Sequence, residues 1–268
     1  MGTTHRALVT GASAGIGRVY AERLAQSGHD LVLVARRAAL MAELAEQLTT
    51  RHGIGVEIIG ADLSTNEGVA QVVDRIAQGS PIDFVVNSAG YAARGRAAEL
   101  DPDALAAMIQ VNVVALSRIC RAALERMRQG GHGKIVNIGS ATTFMVLPGN
   151  GGYSATKSFV NTFTRHIQLE AETSGIQAQL LVPGIVATDF HRIAGADLNA
   201  FPPERVMSAT DLVNASMRAF ATDEAVCIPS LPDINDWNAY LAAERIVAGN
   251  ASRNHIAGRY QLPQSQMV

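Results

Sequence analysis

A short apolar strand that runs straight into Thr10-Gly11-Ala12-Ser13-Ala14-Gly15-Ile16-Gly17 constrains this chain more than any other feature. A turn of this kind, opening directly into a helix, is built to face an anion. Gly11 permits the tight turn, Gly15 lets the backbone approach a pyrophosphate, and Gly17 allows the helix to pack closely on the sheet. Ser13, Ala14 and Ile16 complete the turn, and the helix start offers unpaired N–H groups and a partial positive charge. Three glycines in eight residues also suit a strand-to-helix turn that binds nothing. The strand–turn–helix setting is what favours the ligand.

The rest of the chain repeats the same unit. Apolar runs at Ala7–Thr10, Leu31–Ala35, Val56–Gly60, Phe84–Asn87, Lys134–Gly139 and Gln177–Val182 do not alternate with polar residues, as expected of parallel strands buried on both faces. Between them lie helical patterns at Ile16–Ser27, Ala38–Thr50, Asn66–Gln78, Pro102–Gln129 and Tyr153–Thr173. Strands alternating with helices imply βαβ units with right-handed crossovers. From Gly184 to Met207 the pattern loosens around a short helix at Phe190–Ala196, which reads as a loop over a site. A helix at Ala209–Ala221 capped by Ser208, an edge strand at Ala225–Ile228 and a last helix at Asp236–Val247 follow. No repeat or linker divides the chain. It reads as one α/β domain over residues 1–268, with a substrate loop at about 184–207 and an added C-terminal helix and tail at about 230–268.

Composition removes several classes. With 48% hydrophobic and 17% charged residues the chain buries a large core. A formal net charge of −2 gives no footprint for nucleic acid. Cys120 and Cys227 are the only cysteines; they can pair, although a reducing compartment is the simpler reading. The stretch from Met1 to Arg6 lacks a signal-peptide core, and no run approaches the roughly 18 apolar residues of a membrane span, so a cytoplasmic protein is expected. The seven histidines are scattered without ligand spacing, so no metal is expected.

The end of the second strand reads the cofactor. An acid there would bind both ribose hydroxyls, whereas this chain has Ala35-Arg36-Arg37. Guanidinium groups grip a 2'-phosphate, so NADP is expected over NAD, with Arg36 first and Arg37 second. A solvated arginine pair is the plainer alternative.

Tyr153 and Lys157 lie four apart on one helix face. A tyrosine pKa near about 10 is high for proton exchange, and a nearby ammonium lowers it, which makes Tyr153 a general acid or base. Ser140 and Asn87 sit at strand ends, where ligands collect in open α/β sheets. Asn112 is a polar residue within an apolar helix, which points to a buried role for its amide. Each also has a bland reading: a surface Tyr–Lys pair, a serine that caps a turn, an amide bonded to a neighbouring carbonyl. His191, in the loop, is either a substrate contact or a solvated side chain.

Together these residues resemble the short-chain dehydrogenase/reductase family across roughly residues 5–230. The cofactor turn, Asn87-Ser88-Ala89-Gly90, the set Asn112, Ser140, Tyr153 and Lys157, Pro183-Gly184 with Thr188, and Asp62-Leu63 all fall in the family's order. The resemblance implies a Rossmann-type doubly wound parallel sheet of seven strands in the order 3-2-1-4-5-6-7. It implies that Tyr153 exchanges a proton with the substrate oxygen, Ser140 orients it, and Lys157 binds the nicotinamide ribose and lowers the tyrosine pKa. Asn112 would hold a relay water, Asp62 and Leu63 would meet the adenine, and Pro183, Gly184, Val186 and Thr188 would hold the nicotinamide. The implied activity is hydride transfer between NADP(H) and a carbonyl or alcohol. An epimerase or dehydratase on the same scaffold, and a non-catalytic NADP-binding regulator, are the alternatives. Val226-Cys227-Ile228-Pro229-Ser230 departs from the family's usual last strand, so a homodimer through the two long helices is expected rather than a tetramer. The mostly apolar stretch Thr142–Leu147 points to a ketone, an aldehyde or a 3-oxo compound as the small-molecule substrate.

Overall fold

A computed structural model describes residues 5–195 and 197–261. The N-terminal residues 1–4, Ala196 at the end of the expected loop helix, and the tail from 262 lie outside the described residues. The chain divides into two compact units, Met1–Pro229 and Ser230–Val268.

The first unit is a parallel sheet with helices on both faces. Strands β1 (Arg6–Thr10), β2 (Asp30–Ala35), β3 (Val56–Gly60), β4 (Phe84–Asn87), β5 (Gly133–Ile138) and β6 (Ile176–Leu181) pair in parallel. Two further strands, β7 (Ile185–Ala187) and β8 (Val206–Ser208), pair only with each other. The short β9 (Val226–Cys227) closes the main sheet, in the order β3-β2-β1-β4-β5-β6-β9. This is the expected seven-strand order, with β9 as the seventh strand. The small β7–β8 sheet inside the loop was not expected.

Residue alternation decides what each face buries. Leu8 of β1 faces a core with Val72 and Ile76 of α3 (Asn66–Gln78), Ile119 of α5 (Leu116–Gly130) and Val160 of α6 (Gly151–Ala171). Its neighbours Ala7 and Val9 face Tyr20 and Leu24 of α1 (Gly15–Gln26), Met41 and Leu44 of α2 (Ala38–His52) and Leu212 of α8 (Ala209–Ala221). The expected cap forms: Ser208 Oγ accepts from the Asp211 N–H at 3.0 Å.

The expected helix at Pro102–Gln129 is not uniform. It consists of α4 (Pro102–Ile109), a π-helical turn over Gln110–Ala115, and α5. By length and composition this stretch, which holds an 18-residue window of mean hydropathy 1.4, passes the test for a helix able to cross a membrane, although Gln110, Asn112 and Ser117 interrupt its apolar run. Its Met108, Ala115, Leu116, Ile119 and Cys120 are buried in the protein, and Asn112 with them, along one face. Cys120 and Cys227 are both buried free thiols.

The site rests on a polar spine in the first core. Asn87 Nδ2 donates to Asn137 Oδ1 at 2.8 Å, and Asn137 Nδ2 donates to Thr164 Oγ1 at 3.0 Å, tying the ends of β4 and β5 to α6. The second unit carries α9 (Ile234–Asn250), capped by Asp233, whose Oδ1 accepts from the Asn235 N–H at 2.8 Å. Within that unit Trp237 stacks on Tyr240 at 5.2 Å.

Candidate active site

The glycine turn has the form its sequence demands. Gly11 and Gly15 hold φ values of +67° and +55°, a region L side chains rarely adopt. A Cβ on Gly17 would lie 2.4 Å from the Gly11 carbonyl oxygen, so α1 packs directly on its own turn. The α1 N-cap, Ala14, makes no side-chain cap and the first turn holds no acid. Its N–H groups are therefore left for an outside anion. Thr10 Oγ1 accepts from the N–H groups of Ser88 and Ala89, each at 3.0 Å, which sets the Asn87–Gly90 turn beside Gly11. Thr188 packs on the other side, 3.1 Å from a Cβ placed on Gly15. Asn87 Oδ1 is buried without a protein partner.

Arg36 and Arg37 are exposed beyond β2. Arg37 donates to Ser13 Oγ at 3.1 Å and so reaches back to the turn. Burial raises the Asp62 carboxyl, but the Ser64 N–H and hydroxyl, together with the Arg36 charge, outweigh it and bring the group below its ordinary value. The Arg36 charge thus acts on Asp62, in the expected adenine subsite. The donors, the cradle and the charges fit a dinucleotide carrying an extra phosphate.

The four expected catalytic residues come together at the carboxyl ends of β4 and β5. Around Gly90, Asn112 Oδ1 lies 3.8 Å, Lys157 Nζ 3.9 Å and Phe190 Cε2 3.9 Å from a Cβ placed there. Asn112 sits in the π turn at 1% exposure. Its Oδ1 accepts from the Tyr91 N–H at 2.9 Å, and its Nδ2 donates to the Tyr91 carbonyl at 2.8 Å and to Thr156 Oγ1 at 3.0 Å. The Asn112 side chain thus clamps the 91–95 loop to α6. Ser140 follows β5, and Pro183 stays close because its carbonyl accepts from the Ala141 N–H at 2.9 Å. Gly184 is exposed, while Val186 is buried in β7.

Tyr153 and Lys157 titrate differently from the expectation. Burial of the hydroxyl end pushes the Tyr153 phenol up to about 12, with a hydrogen bond to Ser140 and the Arg94 charge pulling against it. Lys157 is not among the groups that lower it. The ammonium lies 5.9 Å from the centre of the tyrosine ring and donates to the Ile138 carbonyl at 2.8 Å. Burial alone brings Lys157 down to about 8.

Three further residues, each in a stretch expected to line the substrate pocket, meet the site. Arg94 is exposed on a loop whose Gly95 N–H donates to the Gly149 carbonyl at 3.0 Å, four residues before Tyr153. Phe190, in the short helix α7 (Asp189–Ile193), packs its ring 5.8 Å from that of Tyr153. Thr142 bonds to Ser140. His191 is half-buried between Phe190 and Phe201, at 5.9 and 5.8 Å. Burial and Arg94 hold its pKa below the ordinary value, so it is not the solvated histidine of the plainer reading. Phe144, Met145, Val146 and Leu147, which follow Ser140, are exposed one after another.

Comparison with known proteins agrees with this geometry. Residues 5–199 match the family described as short chain dehydrogenase. The very-long-chain 3-oxoacyl-CoA reductase-A of Danio rerio is 33% identical over 207 residues, covering 76% of this chain but only 65% of that protein. A short-chain dehydrogenase from Sphingobium yanoikuyae, solved with NADPH, is 36% identical with a TM-score of 0.92, over 96% of this chain and 100% of that one. The bulky-bulky ketone specific alcohol dehydrogenase of Comamonas testosteroni is 33% identical with a TM-score of 0.88, over 98% and 100%.

The buried ammonium makes a stability prediction. Folded Lys157 loses its proton near 8, against 10.5 for the ordinary group. Between those values the unfolded chain binds more protons, so stability rises with pH there; below pH 8 the cost of burying the charge is fully present. Lys157→Met removes that cost at pH 7, on the order of 2–3 kcal/mol less what the lost bond to the Ile138 carbonyl gives up, while losing turnover. That advantage should shrink as pH climbs toward 10. Urea titrations at both pH values check this; a variant that is less stable at every pH by a constant margin refutes it.

Proposed function

The chain belongs to the short-chain dehydrogenase family, and from that premise we propose that it is an NADP(H)-dependent oxidoreductase that reduces a bulky, largely apolar ketone, aldehyde or 3-oxo compound. The observation that carries this reading is the meeting of Asn112 Oδ1 and Lys157 Nζ, 3.8 and 3.9 Å from one point at Gly90, at the carboxyl end of the sheet that also carries the glycine turn. Gly11–Gly17 would hold the pyrophosphate, Arg36 and Arg37 the 2'-phosphate, and Lys157 the nicotinamide ribose. The chemistry such a cofactor supplies when bound is hydride transfer to or from carbon.

The protein's own residues handle the oxygen. Ser140 and Tyr153 both hydrogen-bond to the substrate oxygen and stabilise the charge it gains as the carbonyl is reduced. Tyr153 then gives up its proton to that oxygen. The phenol is protonated at neutral pH, as an unshifted tyrosine would also be, so it enters the reaction as the acid. The exposed apolar run Phe144–Leu147, and the ring of Phe190 against Tyr153, offer apolar surface to such a substrate. The Danio rerio and Comamonas testosteroni relatives are named for substrates of that character, which supports the assignment.

A homodimer fits the same reading. The outer face of α6 exposes Phe159, stacked on Phe163 at 5.3 Å, and Leu169. The two-residue β9 offers little edge for a larger assembly.

Three measurements test this. Screened against carbonyl and alcohol panels with both cofactors, the wild type should reduce bulky ketones with NADPH, and Tyr153→Phe should lose about 10²–10⁴-fold in kcat. Equal turnover by the two would dismiss the assignment of Tyr153. Arg36→Asp should weaken NADPH at least tenfold relative to NADH, about the worth of one charged hydrogen bond; an unchanged preference removes Arg36. Light scattering should give twice the mass of one chain, and a single-chain mass would end the dimer proposal.

A further inference from the structure

Ser140 is held more firmly than a strand-end serine requires. It caps the 3-10 turn Ala141–Phe144, its Oγ accepting from the Thr142 N–H at 3.2 Å. The Thr142 hydroxyl lies 3.0 Å from the same Oγ. On the main-chain side, the Ser140 carbonyl accepts from the Thr143 hydroxyl at 2.9 Å and from the Thr143 N–H at 3.2 Å. Asn161 of α6 in turn donates to Thr143 Oγ1 at 3.5 Å. The residue is fixed from both sides before any ligand arrives.

A serine hydroxyl has one proton to give and two lone pairs to fill. The Thr142 N–H fills one lone pair. When the Thr142 hydroxyl donates as well, it fills the second, and the proton is all that Ser140 has left to offer. The remaining neighbour is the Tyr153 hydroxyl. Were Ser140 instead to donate to Thr142, it would have no proton for Tyr153 or for a substrate.

We propose that Thr142 is a positioning residue, whose hydroxyl donates to Ser140 Oγ and so obliges Ser140 to present its proton to the substrate oxygen. The proposal rests on the oxidoreductase reading. A donated bond also polarises the acceptor hydroxyl and strengthens the bond it gives onward. Ser140 keeps its proton throughout; the proton that ends on the product oxygen is the one from Tyr153. In the reverse direction, the same orientation helps hold Tyr153 as a phenolate.

The test is Thr142→Val, which keeps the branched shape and removes the donor, beside Thr142→Ser, which keeps the donor and removes the methyl. In Thr142→Val, kcat for reduction should fall about three- to tenfold, the worth of one net hydrogen bond. KM, NADPH affinity and the thermal midpoint should stay near wild type, and the rising limb of the oxidation pH profile should move to higher pH. Thr142→Ser should restore both kcat and the profile. Thr142→Ala serves in the same comparison if the valine variant does not fold. A Thr142→Val enzyme with wild-type kcat and profile overturns the proposal, as does a Thr142→Ser enzyme impaired to the same degree. A wild type inert towards every carbonyl and alcohol removes instead the oxidoreductase reading on which the proposal stands.

Discussion

An ammonium group buried at 5% exposure, with no carboxylate bonded to it among the described residues, is the constraint around which the rest of the site is arranged. Such a charge persists only where polar atoms replace its water. Lys157 finds one at the Ile138 carbonyl, the last of β5, and this fixes the rotation of α6 against the sheet. The helix repeat then does the remaining work. Tyr153, Lys157, Asn161 and Thr164 fall on one face, and they meet in turn Ser140, the Ile138 carbonyl, Thr143 and Asn137. One helix face is laced to one strand and its outgoing turn by four polar contacts. A slip of one residue in α6 would break all of them at once.

The π turn supplies the second anchor. One residue inserted into a helix rotates the turns beyond it and exposes backbone groups at a single place, a device that occurs often at functional sites. Here it places Asn112 so that both amide atoms close on the backbone of Tyr91 while Nδ2 also reaches Thr156. The clamp therefore joins the 91–95 loop to the helix that carries Tyr153. Arg94 rides on that loop, and its charge acts on both Tyr153 and His191. Asn112 thus bears on the phenol through the loop it holds.

Much of this was legible in the sequence. The sheet order, most element boundaries to within a residue or two, the cofactor turn and the convergence of Asn112, Ser140, Tyr153 and Lys157 came from periodicity, glycine spacing and family resemblance. The features that escaped were non-local or electrostatic. The pairing of Ile185–Ala187 with Val206–Ser208 joins two three-residue strands across a long loop, and neither run is distinctive alone. The π turn leaves no mark on a pattern of apolar residues, because a helix with one inserted residue still looks periodic. The spacing of Tyr153 and Lys157 suggests an ammonium beside a phenol, whereas the lysine reaches past the ring to a strand carbonyl. Spacing fixes a face of a helix; it does not fix where a four-carbon side chain ends.

Ser140 joins the readings that the sequence left opposed. A serine after a strand is ordinarily a turn cap, and this one is a cap: its Oγ accepts the Thr142 N–H that opens the next turn. Capping does not compete with a role at the substrate oxygen, because it uses a lone pair and leaves the proton. It also removes the rotational freedom that an uncapped hydroxyl would have to lose on meeting the substrate. Order already present in the folded state is order that binding need not create. The same reasoning applies to the Tyr153 ring, packed against Phe190 before any ligand enters. The stability given up in burying Lys157 and the hydroxyl of Tyr153 is therefore what sets the acidic groups and the oxygen-binding donors in place ahead of the reaction.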